Sequence, residues 1–176
     1  MTLSTRVLAA LHAAEISYAL IGAGALTVHG VTRATLDSDF LVLDSSCLRR
    51  DFWTDLESHG ISVDVRKGDL TDPLAGVVRF EAAGEGPVDV VVGKFKWQRK
   101  VLDQAIHKTT PQGDLPVVRA ADLVLLKLYA GSAQDAWDIQ QLLEGEDRDE
   151  LISEVERLLP ELPAEAAKLW RRILER

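Results

Sequence analysis

The stretch SYALIGAGALTVHG, residues 17–30, constrains the fold more than any other. "SYALIG" is short, apolar and stopped by glycine, so it reads as a strand, and "AGALTVH" supplies small helix-compatible residues that end at Gly30, a C-terminal stop. A strand, a tight turn and a helix in that order specify an α/β unit. Gly22 and Gly24 permit backbone geometries closed to other residues, and the following helix turns its free N–H groups toward whatever fills the turn. Two readings stand: an anion site of the kind phosphate occupies, or a close strand–helix contact that needs small side chains. The turn is not G-x-G-x-x-G, because Thr27 stands at the last position, and no Gly-Lys-Ser/Thr follows to make a Walker loop.

The rest of the chain fits the same class. "DFLVLD" is a second buried strand, and "RRDFWTDLESHG" predicts a helix closed by Gly60. Strands are expected at "ISVDVRK", "GVVRFEA" and "PVDVVVG", with "AGEGP" turning the last two into an antiparallel hairpin. "KWQRKVLDQA" predicts a helix, and "HKTTPQGDLPVV" short strands or a loop. From "AADLVLLKLYAG" onward the chain is helical, through "AQDAWDIQQLLEG", "DRDELISEVERLL" and "PAEAAKLWRRILER". Helical spacing of Val7, Leu8, Leu11 and Ala14 adds an N-terminal helix. The expected fold is therefore α/β (α+β), a mixed sheet flanked by helices. An α/β core over 1–118 is followed by a helical segment over 119–176, packed as one unit. Trp53, Trp97, Trp137 and Trp170 fall in helices, where core packing is the default.

Charge narrows the function. Twenty Lys and Arg against 28 Asp and Glu give a net charge of −8, a poor footprint for holding nucleic acid by its phosphates alone. The basic patch "GKFKWQRK" reads as an amphipathic helix with a solvated face. A single cysteine, Cys47, and a start without a signal-peptide pattern point to the cytoplasm, and no apolar run is long enough to span a bilayer.

Asp37 and Asp39 stand at i and i+2 where a strand begins, so their side chains share a face. Such a pair repels unless a cation binds it, and Mg²⁺, hard and oxygen-seeking, is the natural occupant; a turn or a helix cap is the plainer reading of a lone D-x-D. Asp89 sits among valines, where an ionised carboxylate is costly unless it meets water, a partner or a metal. If its strand lies beside that of Asp39, three carboxylates converge as a two-Mg²⁺ phosphoryl-transfer site requires.

The order hydrophobic-Gly-small-x-Ala-Leu, His-Gly, then Arg-x-Thr-x-Asp-x-Asp resembles the nucleotidyltransferase superfamily of the polymerase-beta type. More narrowly it is similar to bacterial nucleotidyltransferase-like proteins related to the AbiEii toxins. The likeness continues through Asp89 and "RAADLVLLKLYAGSAQDAWDIQQLL". The resemblance implies that Gly22, Ala23 and Gly24 form the triphosphate turn, that Asp37, Asp39 and Asp89 bind the metals, and that Lys127 contacts phosphates. It also matches Asp135 and Asp138 to the family's trailing acidic pair, which could hold Lys127, support the metal site or face solvent. Arg33 either reaches a phosphate or neutralises the acidic cluster; Lys127 without the resemblance is a snorkelling lysine; His29 is structural. Ala23 replaces the family's commoner Gly or Ser, removing a possible side-chain hydroxyl donor to phosphate, and Ser132 and Gln134 stand where the family often has basic residues.

The function implied is Mg²⁺-dependent transfer of NMP from an NTP to a hydroxyl of an RNA, tRNA in particular, or of a protein. A toxin role with a cognate antitoxin goes with that family. The alternatives are a fold-retaining binding protein without turnover and a small-molecule enzyme of the aminoglycoside type. Leu151, Val155 and Leu158 offer a helical face for the core, a pocket, an antitoxin or a second copy of the chain.

Overall fold

A computed structural model describes residues 1–33, 37–145 and 147–175. Helix α1 (Leu3–Ala13) starts at Thr2, whose side chain accepts from the Thr5 N–H, and it buries Leu3, Val7, Leu8 and Leu11. Strand β1 (Ala19–Ile21) runs directly into α2 (Gly22–Val28). The expected turn is thus compressed into Gly22 itself, which takes φ +61° as the first helical residue. Strand β2 (Ser38–Val42) follows.

The single helix expected over residues 49–60 is instead a 3-10 turn (Arg50–Trp53) leading into a short α3 (Thr54–Ser58). Trp53 explains the break. Its ring is fully buried edge-on against Phe80, with centroids 4.7 Å apart, and its indole N–H donates to the Cys47 carbonyl at 2.8 Å. These anchors hold the chain in the tighter winding.

Strands β3 (Ser62–Lys67), β4 (Gly76–Glu81) and β5 (Val88–Val92) form an antiparallel meander, as the hairpin reading expects of its last two. Helix α4 (Lys96–Asp103) buries Trp97, Val101 and Leu102 and turns Lys96, Arg99 and Lys100 to solvent, as the patch reading expects. The Pro/Gly-broken segment is a hairpin of β6 (Ile106–Thr110) and β7 (Gly113–Val117). Helices α5 (Ala120–Ala130), α6 (Ala133–Leu143), α7 (Arg148–Leu158) and α8 (Ala164–Leu174) complete the chain.

Among the described residues the strands make one seven-stranded sheet in the order β3-β4-β5-β2-β1-β7-β6. It is mixed: β2 runs parallel to β5 and β1 to β7, and the remaining pairs are antiparallel. Alternation decides which side chains enter the core. Val88, Val90 and Val92 of β5 point inward with Phe40 and Val42 of β2, leaving Asp89 on the other face with Asp39. Helix α5 is apolar almost all round and packs against α2, α6, α7 and α8, so it is the hub of the helical segment. Trp97 and Trp170 are buried as expected, but Trp137 is 45% exposed, because it projects from α6 on the side away from Asp138 and Ile139. No helix of the described residues is long and apolar enough to cross a membrane.

Candidate active site

Sheet register assembles the site. Ile21 pairs with Asp39, Asp39 with Asp89, Asp89 with Arg79, and Arg79 with Asp64, so one row crosses five strands. Residues opposite one another in a ladder share a face, which puts the two carboxylates of Asp39 and Asp89 side by side. Burial and then the neighbouring charges of Asp89 and Asp37 push the Asp39 carboxyl up to about 6. Burial also raises Asp89, against the opposing pull of Arg79. The valine-flanked aspartate of the sequence thus points at its partner.

Gly22 locks the turn to this row. A Cβ on Gly22 would collide with Asp39 Oδ2, and its positive φ disfavours any side chain. The start of α2 therefore lies directly against the carboxylate. The close-contact reading of the turn holds: a Cβ on Gly24 would press on Leu20 of β1 as one on Gly22 would on Asp39.

Arg79 completes the charge pattern. Its Nε donates to Asp89 Oδ1 at 3.1 Å and its Nη2 to Asp37 Oδ2 at 3.4 Å, so one guanidinium spans two of the three expected metal ligands. Sequence reasoning passed over Arg79, although a signal existed: Arg79 and Asp89 are equidistant from Gly84 in the hairpin turn. Among the described residues no three His, Cys, Asp or Glu side chains stand grouped as a metal-holding set. The donor chemistry nonetheless fits a hard divalent ion. All three side chains offer carboxylate oxygens, Asp39 and Asp89 repel one another, and the protein already places a cation between Asp37 and Asp89.

A second charged group stands behind the row. Lys127 of α5 is 8% exposed and donates to Asp138 Oδ2 at 2.6 Å and to Asp135 Oδ1 at 3.1 Å. It does not snorkel. Asp138, fully buried, also accepts from Arg33 Nη1 at 2.9 Å and from the Gln134 amide at 3.2 Å. One buried anion, Asp138, and the half-buried Asp135 are matched by Lys127 and Arg33, which meets the condition under which buried charge is tolerated. Asp135 and Asp138 therefore hold Lys127, one of the three roles open to them in the sequence; Asp138 holds Arg33 as well. Asp135 has a further duty: with Ser132 it closes a capping box at the start of α6. The positive field of Lys127 reaches Asp39, whose carboxyl it lowers against the larger upward push.

A cleft of about 470 Å³ opens between α2 and the β6–β7 hairpin. Ala23, Gly24, Arg33 and Asp37 line one side, and Lys108 and Gln112, which the sequence did not single out, line the other. His29 is structural as expected, bonding through Nε2 to the Val118 carbonyl at 2.8 Å. Thr35, between Arg33 and the carboxylates, lies outside the described residues.

No protein-family model matches the sequence, and no curated protein matches it. Solved structures do. The chain is similar to the antibiotic-resistance factor ANT(2'')-Ia in its solution structure, at 13% identity and a TM-score of 0.56, covering 99% of this chain and 96% of that one. It is similar to the crystal structure of ANT(2'')-Ia in complex with adenylyl-2''-tobramycin at 12% identity and a TM-score of 0.56, covering 90% and 95%. The mixed sheet and its helices are those of the nucleotidyltransferase fold.

Proposed function

We propose that this chain is a nucleotidyltransferase that moves the nucleoside monophosphate of an NTP onto an acceptor hydroxyl. The observation that carries the reading is the registered pair Asp39–Asp89 packed against the start of α2 at Gly22. Asp37, Asp39 and Asp89 would hold Mg²⁺, which when bound supplies Lewis acidity toward the phosphates and lowers the pKa of a hydroxyl. The chain's own groups do the positioning. The backbone at Ala23 and Gly24, with Arg33, receives the polyphosphate in the cleft beside α2, next to Gly22; Lys127, buried behind the row, adds its positive field, and Asp135 and Asp138 keep both cations in place before the nucleotide arrives. The acceptor hydroxyl approaches from the Asp89 side and gives its proton toward that carboxylate as its oxygen bonds to the α-phosphorus, and the bond from the α-phosphorus to pyrophosphate breaks in line. Residues 1–118 carry the carboxylates and the turn, and residues 119–176 supply Lys127.

The AbiEii-type resemblance supports an RNA, tRNA in particular, or a protein as acceptor, and a toxin countered by an antitoxin. The shared fold of ANT(2'')-Ia, solved with adenylyl-2''-tobramycin, supports a second reading with a small-molecule acceptor. The test incubates wild type and the Asp37→Ala/Asp39→Ala variant with each labelled triphosphate, Mg²⁺ and total RNA, total protein or tobramycin. Label is expected in one acceptor with wild type alone. Equal labelling by the double variant removes the mechanism.

A further inference from the structure

The carboxylate row has a second cleft, of about 340 Å³, on the side of Asp89 away from α2. Its floor is Val77 of β4, its wall is Pro73 and Leu74 from the β3–β4 connection, and Arg66, Lys67 and Arg79 supply its cations. The connection is a closed structure. The Gly68 N–H donates to the Ala75 carbonyl at 2.9 Å, Lys94 Nζ donates to the Asp69 carbonyl at 3.1 Å, and a Cβ on Gly68 would strike the Leu74 carbonyl.

The two acids of this cleft are already engaged. Asp72 accepts from the Asp69 N–H at 2.7 Å, and Asp89 accepts from Arg79 at 3.1 Å. Arg66 donates its Nε to Asp64 at 2.8 Å, and its side chain is 72% exposed. Lys67 has no ion pair among the described residues. In a chain of net charge −8, the uncommitted charge at this mouth is positive.

We propose that this cleft is the acceptor site and that it takes a hydroxyl compound bearing a phosphate, with its sugar against Val77 and Leu74 and its phosphate on Arg66 and Lys67. The inference rests on the transferase reading, since only a transferase needs a second substrate beside Asp89. It also divides the two acceptor classes. A polycation such as tobramycin would find its ammonium groups facing Arg66, Lys67 and Arg79, with no carboxylate free of a partner among the cleft's acids. The volume suits one sugar phosphate, which is a free molecule or the end of an RNA.

Amide chemical shifts of the full chain, titrated separately with ribose 5-phosphate, uridine trinucleotide and tobramycin, test this. Both phosphates are expected to move the amides of residues 66–68 and 74–77, tobramycin to leave them still, and Arg66→Glu/Lys67→Glu to weaken phosphate binding by about tenfold or more. Lys67→Gln, which removes one exposed charge, gives a smaller loss in the same direction should the double variant not fold. Tighter binding of the trinucleotide than of ribose 5-phosphate assigns the phosphate to an RNA end, and equal binding to a free metabolite. Shifts confined to Ala23, Gly24 and Lys108, tobramycin binding at residues 66–77, or no effect of charge reversal overturns the proposal. Its failure is separable from that of the transferase reading: labelled tobramycin with no phosphate binding here sinks the cleft alone, whereas phosphate binding here with no transfer to any acceptor sinks the transfer alone.

Discussion

Replacing Asp39 by Asn should make the protein more stable at neutral pH. The Asp39 carboxyl rises from 3.8 to about 6 in the folded protein, because burial and the charges of Asp89 and Asp37 oppose its ionisation. At about 1.4 kcal/mol per pKa unit the shift corresponds to a ceiling of roughly 3 kcal/mol. The sign follows from linkage. A carboxyl whose folded pKa lies above its unfolded value binds its proton more tightly when folded, so its favourable contribution is complete below about pH 4 and lost as pH rises to about 6. Above that window the fold carries the ionisation penalty. Asn keeps the side chain's size and removes the charge, and after allowance for partial solvation and for burying an amide, a gain of about 1–2 kcal/mol is expected. For a chain of this length that raises Tm by about 2–8 °C. Thermal unfolding of both proteins in EDTA at pH 7.5 and pH 4.5 measures it, with most of the gain vanishing at the lower pH. A variant less stable than wild type at pH 7.5, or a gain equal at both pH values, would refute the reasoning.

Two further outcomes follow from the same geometry. Gly22→Ala forces a Cβ into Asp39 Oδ2 at a positive φ, and a loss of about 1–3 kcal/mol is expected in urea unfolding, reduced when Asp39→Ala is added and left in place by the equally large Asp39→Asn. Asp138→Ala leaves Lys127 buried with Asp135 alone and strips Arg33 of its carboxylate, so a loss of about 3–5 kcal/mol is expected by the same measurement.

Local patterns in the chain were enough to mark the pieces of this site but not their meeting. The strand at Ala19–Ile21, the Asp-x-Asp at the entry to β2 and the β4–β5 hairpin are written in short-range alternation and turn residues, and each appears where those signals put it. What brings Asp39 beside Asp89 is the parallel pairing of β2 with β5, which passes over β3 and β4 in the chain order. Periodicity carries no information on which strands become neighbours; the reading from Asp89 depended on a conditional the sheet order fulfils. The role of Lys127 was hidden for a different reason. One lysine among leucines looks the same whether it reaches solvent or a buried carboxylate, and the packing of α6 against α5 decides it. Trp137 shows the converse, since an aromatic in a helix is read as core until the helix is docked and one flank is left open.

The carboxylate of Asp138 has a mechanical consequence. Its oxygen ties Arg33, on the approach to β2, and Lys127, in the middle of α5, to a third element, α6. A sideways slip of α6 would unseat both cations at once, so one buried side chain couples that helix to the cleft wall that carries Arg33.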